Sequence, residues 1–453
     1  MERVFFFLKK IIPSRVFCLL QSPYHFALAW LADVWYGMPS RRMYVIGVTG
    51  TKGKTTTANL LADILGAAGR KTGVTSSVYF RFGSERIIND TKQGMPGRFY
   101  LQKLLAEMVR KGCTHAVVET TSEGMIQHRH RFIDYNAAVF TNLTPEHIER
   151  HGSFEKYRDT KVKLFEKVAR KKPFGAAQDT DGIGVYNLDD GNVGYFLKPK
   201  VPTKIGFSLG KSQITNHKSQ INSKLQIQNI KLTDDGSEFD IEGVRFQIPL
   251  VGEFNVYNAV AAIAMARTLG VSLEMCAEIL RDIKPLPGRF EVIKVVLPRQ
   301  SAGQDDNHDF VVIVDYAHEP KSLEECYKAA QLFLRDPSLR SGRPDGGRVV
   351  CLLGSQGGGR DKWKRPEMGR VAARYCDEIV LTNEDPYDEI PLNIINDIEE
   401  GISSQLKVES CKLKAYKIID RKEAIRKAIF LAGPGDVVIL TGKGGEVWMC
   451  LEN

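Results

Sequence analysis

The stretch YVIGVTGTKGKTTTANLLADIL, residues 44–65, joins an apolar run, a glycine-rich loop and a second apolar run. The first run, residues 44–48, predicts a buried strand, and the apolar residues at helical spacing within 60–65 predict a helix. The loop between them consists of Gly50, Thr51, Lys52, Gly53, Lys54, Thr55 and Thr56. A strand, a glycine loop and a helix start are together the context of a phosphate-binding loop.

The residues of this loop favour nucleotide binding over a purely structural turn. Glycines let backbone N–H groups point at phosphate oxygens, and the helix N-terminus adds its positive dipole end. Lys54 can reach the β and γ phosphates of a nucleotide, and the Thr55 hydroxyl can hold Mg²⁺. The alternative is a strand-to-helix turn that binds no nucleotide. The two lysines beside glycines argue against it, because they are poor choices for a purely structural turn.

The composition is that of a globular protein with two or three domains. The 453 residues carry a net charge of +9, with 43% apolar and 26% charged residues. The positive balance suits polyanionic small substrates such as nucleotides, and it would also suit a membrane surface. Lysines and arginines do not form a stripe interleaved with aromatic residues, so we do not expect nucleic acid as a partner.

The eight cysteines are scattered, without a CxxC pair or a spacing typical of metal ligands. We therefore expect reduced, buried thiols in a cytoplasmic protein. A signal peptide is not expected, because no small-residue cleavage site follows an uninterrupted apolar core. No apolar run has the length needed to span a bilayer.

Residues 1–43 alternate apolar runs with lysines, arginines and prolines. The pattern fits a pair of short amphipathic helices that pack on the body of the protein. It also fits helices that lie on a membrane surface with their basic residues toward the headgroups. Packing on the body is the favoured interpretation.

From Tyr44 onward, apolar strands alternate with helical patterns, which predicts an α/β fold with a mostly parallel sheet. Residues 200–250 change to short strand-like runs with few helix signals, which predicts an antiparallel β insertion. The segment PLPG at 285–288 indicates a domain boundary, after which a second α/β series begins. We predict a short N-terminal segment (1–43), a central domain with the phosphate-binding loop (44–285) and a Rossmann-like C-terminal domain (286–453).

Polar groups follow two predicted strands of the central domain. Glu119 ends the first and is placed like a Mg²⁺ ligand, with a helix-capping acid as the alternative. His147 follows the second and could be a metal ligand, a general base or a solvated histidine. It opens the polar segment HIERHGSFEKYRDTKVKLF, which contains Lys161 and is more polar than a structural helix needs.

Groups suited to anions also follow strands of the C-terminal domain. Arg289 lies between a glycine and an aromatic residue, where a guanidinium suits a phosphate. Asp315 and His318 follow the predicted strand 310–314, and glycine-rich loops occupy 354–365 and 442–446. Each signal is weak alone, but together they predict a substrate rich in phosphate or carboxylate between two α/β domains.

Taken together, these segments resemble the Mur ligase family, the ATP-dependent amide ligases of peptidoglycan synthesis. The matching segments, in the family's order, are GTKGKTT, ETTS, TNLTPEH, GEFNVYNA, PGRFEV, DYAH, GGGRDKWKRPEMG and TGKGGE. The branch that looks most similar is the MurE type, which adds an amino acid to UDP-N-acetylmuramoyl-dipeptide. Folylpolyglutamate synthetases share the phosphate-binding loop and domain plan, but not the DYAH and RDKxKRP segments.

The resemblance implies a mechanism in which ATP phosphorylates the substrate's terminal carboxylate and an amine attacks the acyl phosphate. Lys54 would contact the phosphates, Thr55 and Glu119 would bind one Mg²⁺, and His147 would help to bind a second. Lys161 matches a lysine that the family carries as a carbamate, which turns a cation into an anionic magnesium ligand. The implied catalytic set is Lys54, Glu119, His147, Lys161, Arg289 and Asp315.

The resemblance also implies the remaining contacts and partners. The nucleotide would be contacted by the loop residues 50–56 and by Asn258, Arg289, Asp315 and His318. The muramoyl peptide and the amino acid would be contacted by Thr91, Ser122, Arg129, Arg360, Glu384, Asp385, Gly442 and Glu446. We expect a monomer that takes a nucleotide-linked muramoyl peptide and an amino acid.

Three departures from the family bear on the substrates. The 43 residues before the central domain are about half the length of the family's uridine-binding domain. The family's paired threonines appear only as Asp90-Thr91-Lys92, and glutamate replaces the histidine of its SSHG segment. The DNPR loop of the diaminopimelate enzymes is Glu384-Asp385-Pro386-Tyr387 here, without the arginine. Carboxylates at Glu384, Asp385 and Asp388 favour a side-chain ammonium, which predicts a lysine-like or ornithine-like diamine.

Three other functions are alternatives to this one. A related ligase could act on another acceptor, such as a peptide without a nucleotide or a polyglutamyl chain. A phosphate-loop kinase or GTPase lacks support, because no guanine-reading NKxD segment is present and the segment from His151 to Lys161 has no natural role in such an enzyme. A scaffold derived from a ligase would have no need of the full set of catalytic residues.

Overall fold

The computed structural model describes residues 14–146, 148–170, 182–210, 221–295, 310–335, 347–359, 361–406, 413–446 and 449–450, with only the backbone for 14–20 and 335. These residues form two compact units. Unit 1 contains the described residues of Met1–Leu143, Glu155–Gln226 and Val260–Cys276. Unit 2 contains those of Thr144–Phe154, Ile227–Ala259 and Ala277–Asn453.

The described helices lie between strands along most of the chain. They are α1 Ser14–Trp35, α2 Lys54–Ala67, α3 Arg98–Arg110, α4 Ser122–Ile126, α5 Ile148–His151, α6 Phe154–Ala169, α7 Val193–Leu197, α8 Glu253–Thr268, α9 Leu273–Arg281, α10 Pro320–Ala330, α11 Lys364–Tyr375, α12 Pro391–Leu406 and α13 Arg421–Leu431. No described helix is both long enough and apolar enough to cross a bilayer. Apolar residues recur at helical spacing within 99–109 and 256–267, and these residues lie in α3 and α8.

Unit 1 is built on a mostly parallel sheet. Its strands are β1 Tyr44–Thr49, β2 Thr72–Thr75, β3 Tyr79–Phe82, β4 Glu85–Ile88, β5 His115–Glu119, β6 Tyr135–Phe140, β7 Ile183–Asn187, β8 Thr203–Ser208 and the start of β9 Ser223–Leu232. They lie in the order β9-β8-β7-β6-β1-β5-β2-β3-β4, and two of these pairs are antiparallel, β2 with β3 and β3 with β4. This arrangement confirms the α/β fold expected from the sequence.

Strand β1 lies between β5 and β6, and all six of its residues are buried. An apolar run without alternation is typical of such a central parallel strand, because helices cover both faces of the sheet. Gly47 permits close packing there, since a Cβ would lie 2.9 Å from the Tyr135 ring and 3.0 Å from Leu164. The parallel pairing brings the carboxyl ends of β1, β5 and β6 to one edge of the sheet.

Unit 2 contains a second sheet of six strands. These are β12 Glu291–Val295, β13 Phe310–Val314, β14 Val349–Leu353, β15 Glu378–Leu381, β16 Lys414–Lys417 and β17 Val437–Leu440, in the order β12-β13-β17-β14-β15-β16. All pairs are parallel except β12 with β13. Residues of α10, α11 and α12 pack in one apolar cluster and those of α13 in another, so helices cover both faces, as a Rossmann-like domain requires.

The region 200–250 differs from the expected antiparallel insertion. Strand β8 pairs parallel with β7, and β9 pairs parallel with β8, so these strands extend the parallel sheet. Antiparallel pairing is confined to β9 with β10 Ser237–Ile241, and to β10 with β11 Val244–Ile248. The polar residues of β9 are explained by exposure, because this strand alternates between exposed and buried positions over Lys224–Gln228.

The described part of the N-terminal segment is one helix, α1, which continues through Pro23. Loss of one backbone hydrogen bond at proline does not end this helix. Residues 1–13 lie outside the described residues, so the expected pair of helices stays a prediction. Cys351 and Cys376 form a disulfide, whereas reduced thiols were expected throughout. Strand β14 and the end of α11 bring these two sulfurs together, which sequence spacing does not reveal. Among the other described cysteines, Cys113, Cys276, Cys326 and Cys450 are free thiols.

Candidate functional site

The glycine-rich loop joins the end of β1 to the start of α2. Gly53 caps the helix with a φ of 82°, a left-handed conformation that glycine adopts without strain. Gly50 is also required, because a Cβ there would lie 2.0 Å from the Thr141 hydroxyl oxygen. The Lys54 ammonium donates to the Thr51 carbonyl at 2.7 Å. The loop thus has the backbone shape and the lysine of a phosphate cradle.

Asn142, which follows β6, holds the loop in place. Its backbone carbonyl accepts from Thr51 N at 2.8 Å. Its side chain accepts from Lys52 N at 2.9 Å and donates to the Lys52 carbonyl at 3.1 Å. The sequence singled out the TNLTPEH segment but not this asparagine, whose role depends on the parallel pairing of β1 with β6.

Replacing Asn142 by Ala is expected to raise the KM for ATP by about tenfold to thirtyfold. Two side-chain hydrogen bonds are lost, each contributing about 1 kcal/mol to loop order. Steady-state kinetics with varied ATP measure the change. The matched control is Asn192→Ala, because Asn192 donates to the Leu143 carbonyl in the same unit without touching the loop. Equal effects of the two substitutions would contradict a role for Asn142 in loop positioning.

Thr55, Glu119 and Ser77 form a compact oxygen cluster at the start of α2. The Thr55 hydroxyl donates to Glu119 Oε2 at 2.9 Å and lies 2.8 Å from the Ser77 hydroxyl. Ser77 N also donates to Glu119 Oε2 at 2.9 Å. Two hydroxyls and a carboxylate are the hard oxygen ligands that Mg²⁺ prefers, so the residues fit this ion. Ser77 was missed, because no motif surrounds it in the sequence.

Lys161 reaches the same loop from α6. Its side chain is only 2% exposed, and its ammonium donates to the Gly50 carbonyl at 2.7 Å. The ammonium also lies 4.8 Å from the centre of the Tyr157 ring, and the Tyr157 hydroxyl is 3.0 Å from Thr51 Oγ1. A carbamate on Lys161 would keep one N–H for Gly50 while adding an anionic group beside the loop. His147 lies outside the described residues.

The candidate substrate residues of unit 1 surround α4. Ser122 is buried at the first position of α4, and Arg129 donates to Gln93, Gln127 and the Met95 carbonyl. Burial lowers the pKa of Arg129 to about 10, and Arg98 adds to the shift. Thr91 instead turns toward its own loop, where its N–H and hydroxyl both donate to Asn89 Oδ1, at 2.9 and 2.6 Å.

In unit 2, Arg289 and Asp315 lie beside Tyr316 where the chain leaves β13. The Asp315 carboxylate accepts from Phe290 N and from Ala317 N, both at 2.7 Å. The Arg289 guanidinium carbon lies 4.4 Å from the centre of the Tyr316 ring, within cation–π range. The Tyr316 hydroxyl donates to Glu446 Oε1 at 2.9 Å. Through its two hydrogen bonds, Asp315 holds the backbone directly after Arg289 and directly after Tyr316.

The predicted amino-acid contacts meet at the ends of β15 and β17. The Lys443 ammonium lies 2.9 Å from Asp385 and 2.7 Å from Glu446, so these two carboxylates are already paired. Glu384 is 0% exposed, and neither of its carboxylate oxygens has a hydrogen-bond partner within the described part of the chain. Gly442 makes room for it, since a Cβ there would lie 2.6 Å from Glu384 Oε2.

The charge of Glu384 is the least compensated in this group. Burial raises the pKa of Glu384, and the nearby cations Arg421, Lys364 and Lys443 oppose the shift without cancelling it. Arg421 donates to the carbonyls of Asn383 and Thr441, at 3.2 and 2.7 Å. A cationic ligand group beside Glu384 would relieve this buried charge.

Two acids that sequence reasoning missed lie beside His318. His318 Nε2 is 3.2 Å from Glu146 Oε1, and Lys364 pairs with Glu319 at 2.6 Å. Together Glu146, His318 and Glu319 have one potential ligand atom each within 4.8 Å of the others.

Asn258 is buried on α8, where its amide donates to Asn255 Oδ1 at 3.2 Å. Arg360 lies outside the described residues.

Comparison with known proteins agrees with this arrangement. The Mur ligase middle domain matches residues 48–266, and the Mur ligase, glutamate ligase domain matches residues 288–444. The chain is 34% identical over 430 residues to the UDP-N-acetylmuramoyl-L-alanyl-D-glutamate–2,6-diaminopimelate ligase of Bacillus cereus, covering 94% of this chain and 78% of that protein. It is 36% identical over 430 residues to the UDP-N-acetylmuramyl-tripeptide synthetase of a Roseiflexus species, covering 93% and 77%.

A solved structure of a UDP-N-acetylmuramoyl-L-alanyl-D-glutamate–2,6-diaminopimelate ligase superimposes with a TM-score of 0.55 at 28% identity. The match covers 90% of this chain and 74% of that one. The two domain matches together span most of the sequence, and they include the glycine-rich loop as well as Asp315. The chain therefore belongs to the Mur ligase family of ATP-dependent enzymes that form amide bonds.

Proposed function

We propose that this protein adds an amino acid to the terminal carboxylate of a muramoyl peptide, using ATP, in the cytoplasmic synthesis of peptidoglycan precursors. The observation that carries the proposal is the loop of residues 50–56 with Thr55, Ser77 and Glu119 clustered at its end. The names of the relatives supply the reaction class. Residues 1–43, 44–285 and 286–453 remain our proposed domains, and we propose a monomer that binds no nucleic acid.

The residues have distinct tasks in this reaction. Lys54 and the first amides of α2 bind the ATP phosphates and align the γ-phosphate with the acceptor carboxylate. Thr55 and Glu119 would hold Mg²⁺, which when bound neutralises phosphate charge. Ser122 and Arg129 bind the muramoyl peptide, and Arg289 and Asp315 act on the nucleotide. The reaction needs charge neutralisation and alignment more than a protein nucleophile.

A carbamate on Lys161 belongs to the same proposal. The ammonium is buried against the Gly50 carbonyl, at the loop where phosphate and metal charges are proposed to meet. An unmodified ammonium would repel a nearby cation, whereas a carbamate would help to bind it. His147 is proposed as the partner ligand for the second ion.

For the amino acid we propose a diamine of the lysine or ornithine type. Tyr387 takes the place of the arginine that the diaminopimelate enzymes use for the distal carboxylate. Asp385 and Glu446 are paired with Lys443, which leaves Glu384 to meet a side-chain ammonium. Burial of that ammonium beside an oppositely charged carboxylate would offset the desolvation of both groups.

The substitution Glu384→Gln is expected to stabilise the ligand-free protein while weakening diamine binding. The folded-state pKa of Glu384 is raised, so its ionised form costs stability at pH values above the unfolded-state pKa. The gain in Tm at neutral pH should disappear as the pH falls toward about 4, where an unfolded glutamate is protonated too. The KM for lysine should rise by about tenfold or more.

Thermal unfolding at several pH values and kinetics with varied lysine measure these two effects. Glu400→Gln is the matched control, because Glu400 is an exposed glutamate of α12 in the same unit and has no proposed contact with the amino acid. It should change neither quantity. A clear preference of the unmodified enzyme for diaminopimelate over lysine would overturn the choice of amino acid, whatever the variant does.

The reaction itself is tested by phosphate release from ATP. The enzyme is supplied with UDP-N-acetylmuramoyl-L-alanyl-D-glutamate, Mg²⁺, bicarbonate and one candidate amino acid at a time. We expect release that requires both the peptide and the amino acid, with the product identified by mass spectrometry. Tight ATP binding without release for any amino acid would contradict the proposed acceptor. Peptides without a nucleotide and polyglutamyl acceptors would then be tested.

A further inference from the structure

Helix α1 presents an apolar face to solvent. The exposed large side chains are Tyr24, Phe26, Trp30, Leu31, Val34 and Trp35, with Trp30 53% and Trp35 73% exposed. Ala27, Trp30, Leu31, Val34 and Trp35 follow the three- and four-residue spacing of one helical face. None of the exposed residues within 21–35 carries a charge. A surface helix normally shows the opposite pattern, with its charged face outward.

The polar side chains of His25 and Ser22 attach α1 to the protein. His25 is buried and contacts Arg98 of α3, and the Ser22 hydroxyl lies 2.9 Å from His128 Nε2. Asp33, the only acidic residue of the helix, is also buried. Because polar groups hold the helix on the body, its outward apolar face is fixed in place.

Arginines border this face in the part of the chain that the structure describes. By composition, residues 1–43 contain six lysines and arginines against two acids, a net charge of +4 out of +9 for the whole chain, and one of the two acids is the buried Asp33. Arg41 and Arg42 are exposed directly after the helix. The Arg131 guanidinium carbon lies 5.2 Å from the centre of the Phe26 ring, at the border of the apolar face.

We propose that α1 docks on an anionic lipid surface, with its apolar face in the boundary between headgroups and acyl chains. Tryptophan and tyrosine side chains suit this boundary, because one end of each is apolar and the other can remain hydrated. Arginines at the rim attract anionic headgroups. The helix lies in the plane of the bilayer, since its exposed large apolar side chains lie along its length while His25 and Asp33 are buried against the protein. This proposal is independent of the reaction that the enzyme catalyses.

Co-sedimentation of the protein, residues 1–453, with lipid vesicles tests the proposal. We expect binding to mixed phosphatidylglycerol and phosphatidylcholine vesicles that is at least about tenfold tighter than binding to phosphatidylcholine alone. The difference should shrink between about 0.1 M and about 1 M salt, because salt screens the arginines. Addition of vesicles should shift tryptophan fluorescence to shorter wavelength.

The variant Trp30→Gln/Leu31→Gln/Trp35→Gln should lose binding by at least about tenfold. Glutamine is a good helix former and all three positions are exposed, so the fold should persist, as circular dichroism can check. The control is Ile390→Gln/Phe430→Gln, which removes two exposed apolar side chains from unit 2 and should leave binding unchanged. Arg41→Gln/Arg42→Gln should reduce only the preference for anionic lipid.

Four results would overturn the proposal. The first is absence of binding to either vesicle type, and the second is equal binding by the triple variant. The third is a dimer in sedimentation analysis that the triple variant abolishes, which would make the face a contact between two copies. The fourth is strong protection of Trp30 and Trp35 from a soluble quencher without lipid, which would assign residues 1–13 as the cover.

Discussion

Replacing Lys161 by Ala is expected to lower kcat/KM by about a thousandfold, because a preorganised charged group at the phosphate loop is lost. The side chain is buried and bonded to the Gly50 carbonyl, so no neighbouring residue can take its place without rearrangement. Phosphate release at varied concentrations of ATP and acceptor measures the loss. The unmodified enzyme should also gain activity when bicarbonate is added to carbon-dioxide-depleted buffer.

Two further experiments distinguish a carbamate on Lys161 from an unmodified ammonium, because the two forms lead to opposite expected results. Lys161→Arg keeps a positive charge but cannot carry the carbamate, so it should remain as inactive as Lys161→Ala. A small carboxylate such as acetate should partly restore Lys161→Ala, since it can occupy the cavity and supply the missing anion. Full activity of Lys161→Arg, together with no rescue by carboxylates, would show that Lys161 acts as a cation.

The substitution Glu119→Gln is expected to cost a similar factor, about a thousandfold in kcat/KM, and to raise the Mg²⁺ concentration needed for half-maximal rate. Glu119 Oε2 accepts hydrogen bonds from both the Thr55 hydroxyl and Ser77 N. A neutral amide keeps the size of the side chain but supplies no negative charge to a cation. Magnesium titration of the rate separates this effect from general damage.

Ser77→Ala is the control for Glu119→Gln, with a smaller expected effect, because it removes one hydroxyl of the cluster and leaves the carboxylate in place. We expect a loss of about tenfold, with a smaller change in magnesium dependence. Thermal unfolding should show both variants folded. If Glu119→Gln retained the activity and magnesium dependence of the unmodified enzyme, the cluster of Thr55, Ser77 and Glu119 would not be the metal site.

The sequence predicted the local elements wherever the pattern was strong. The apolar run 44–48 became the central strand β1, and the residues at helical spacing after Lys54 became α2. These elements are determined by short-range periodicity, which survives in any tertiary context. The alternation of strands and helices was likewise enough to establish the α/β fold and, with its motifs, the resemblance to the Mur ligase family.

What required the tertiary structure was proximity between distant residues. Ser77 donates a hydrogen bond to Glu119, 42 positions away in the sequence, and Lys52 donates one to Asn142, 90 positions away. Cys351 and Cys376, which are 25 positions apart, form a disulfide. Strand pairing and packing bring these groups together, and the spacing of residues along the sequence does not reveal which of them will meet. The outward apolar face of α1 was equally hidden, because periodicity identifies an amphipathic helix without deciding which face is buried. The sequence by itself thus determined the elements, the fold class and the family, whereas sheet order and packing decided which side chains meet and which remain in solvent.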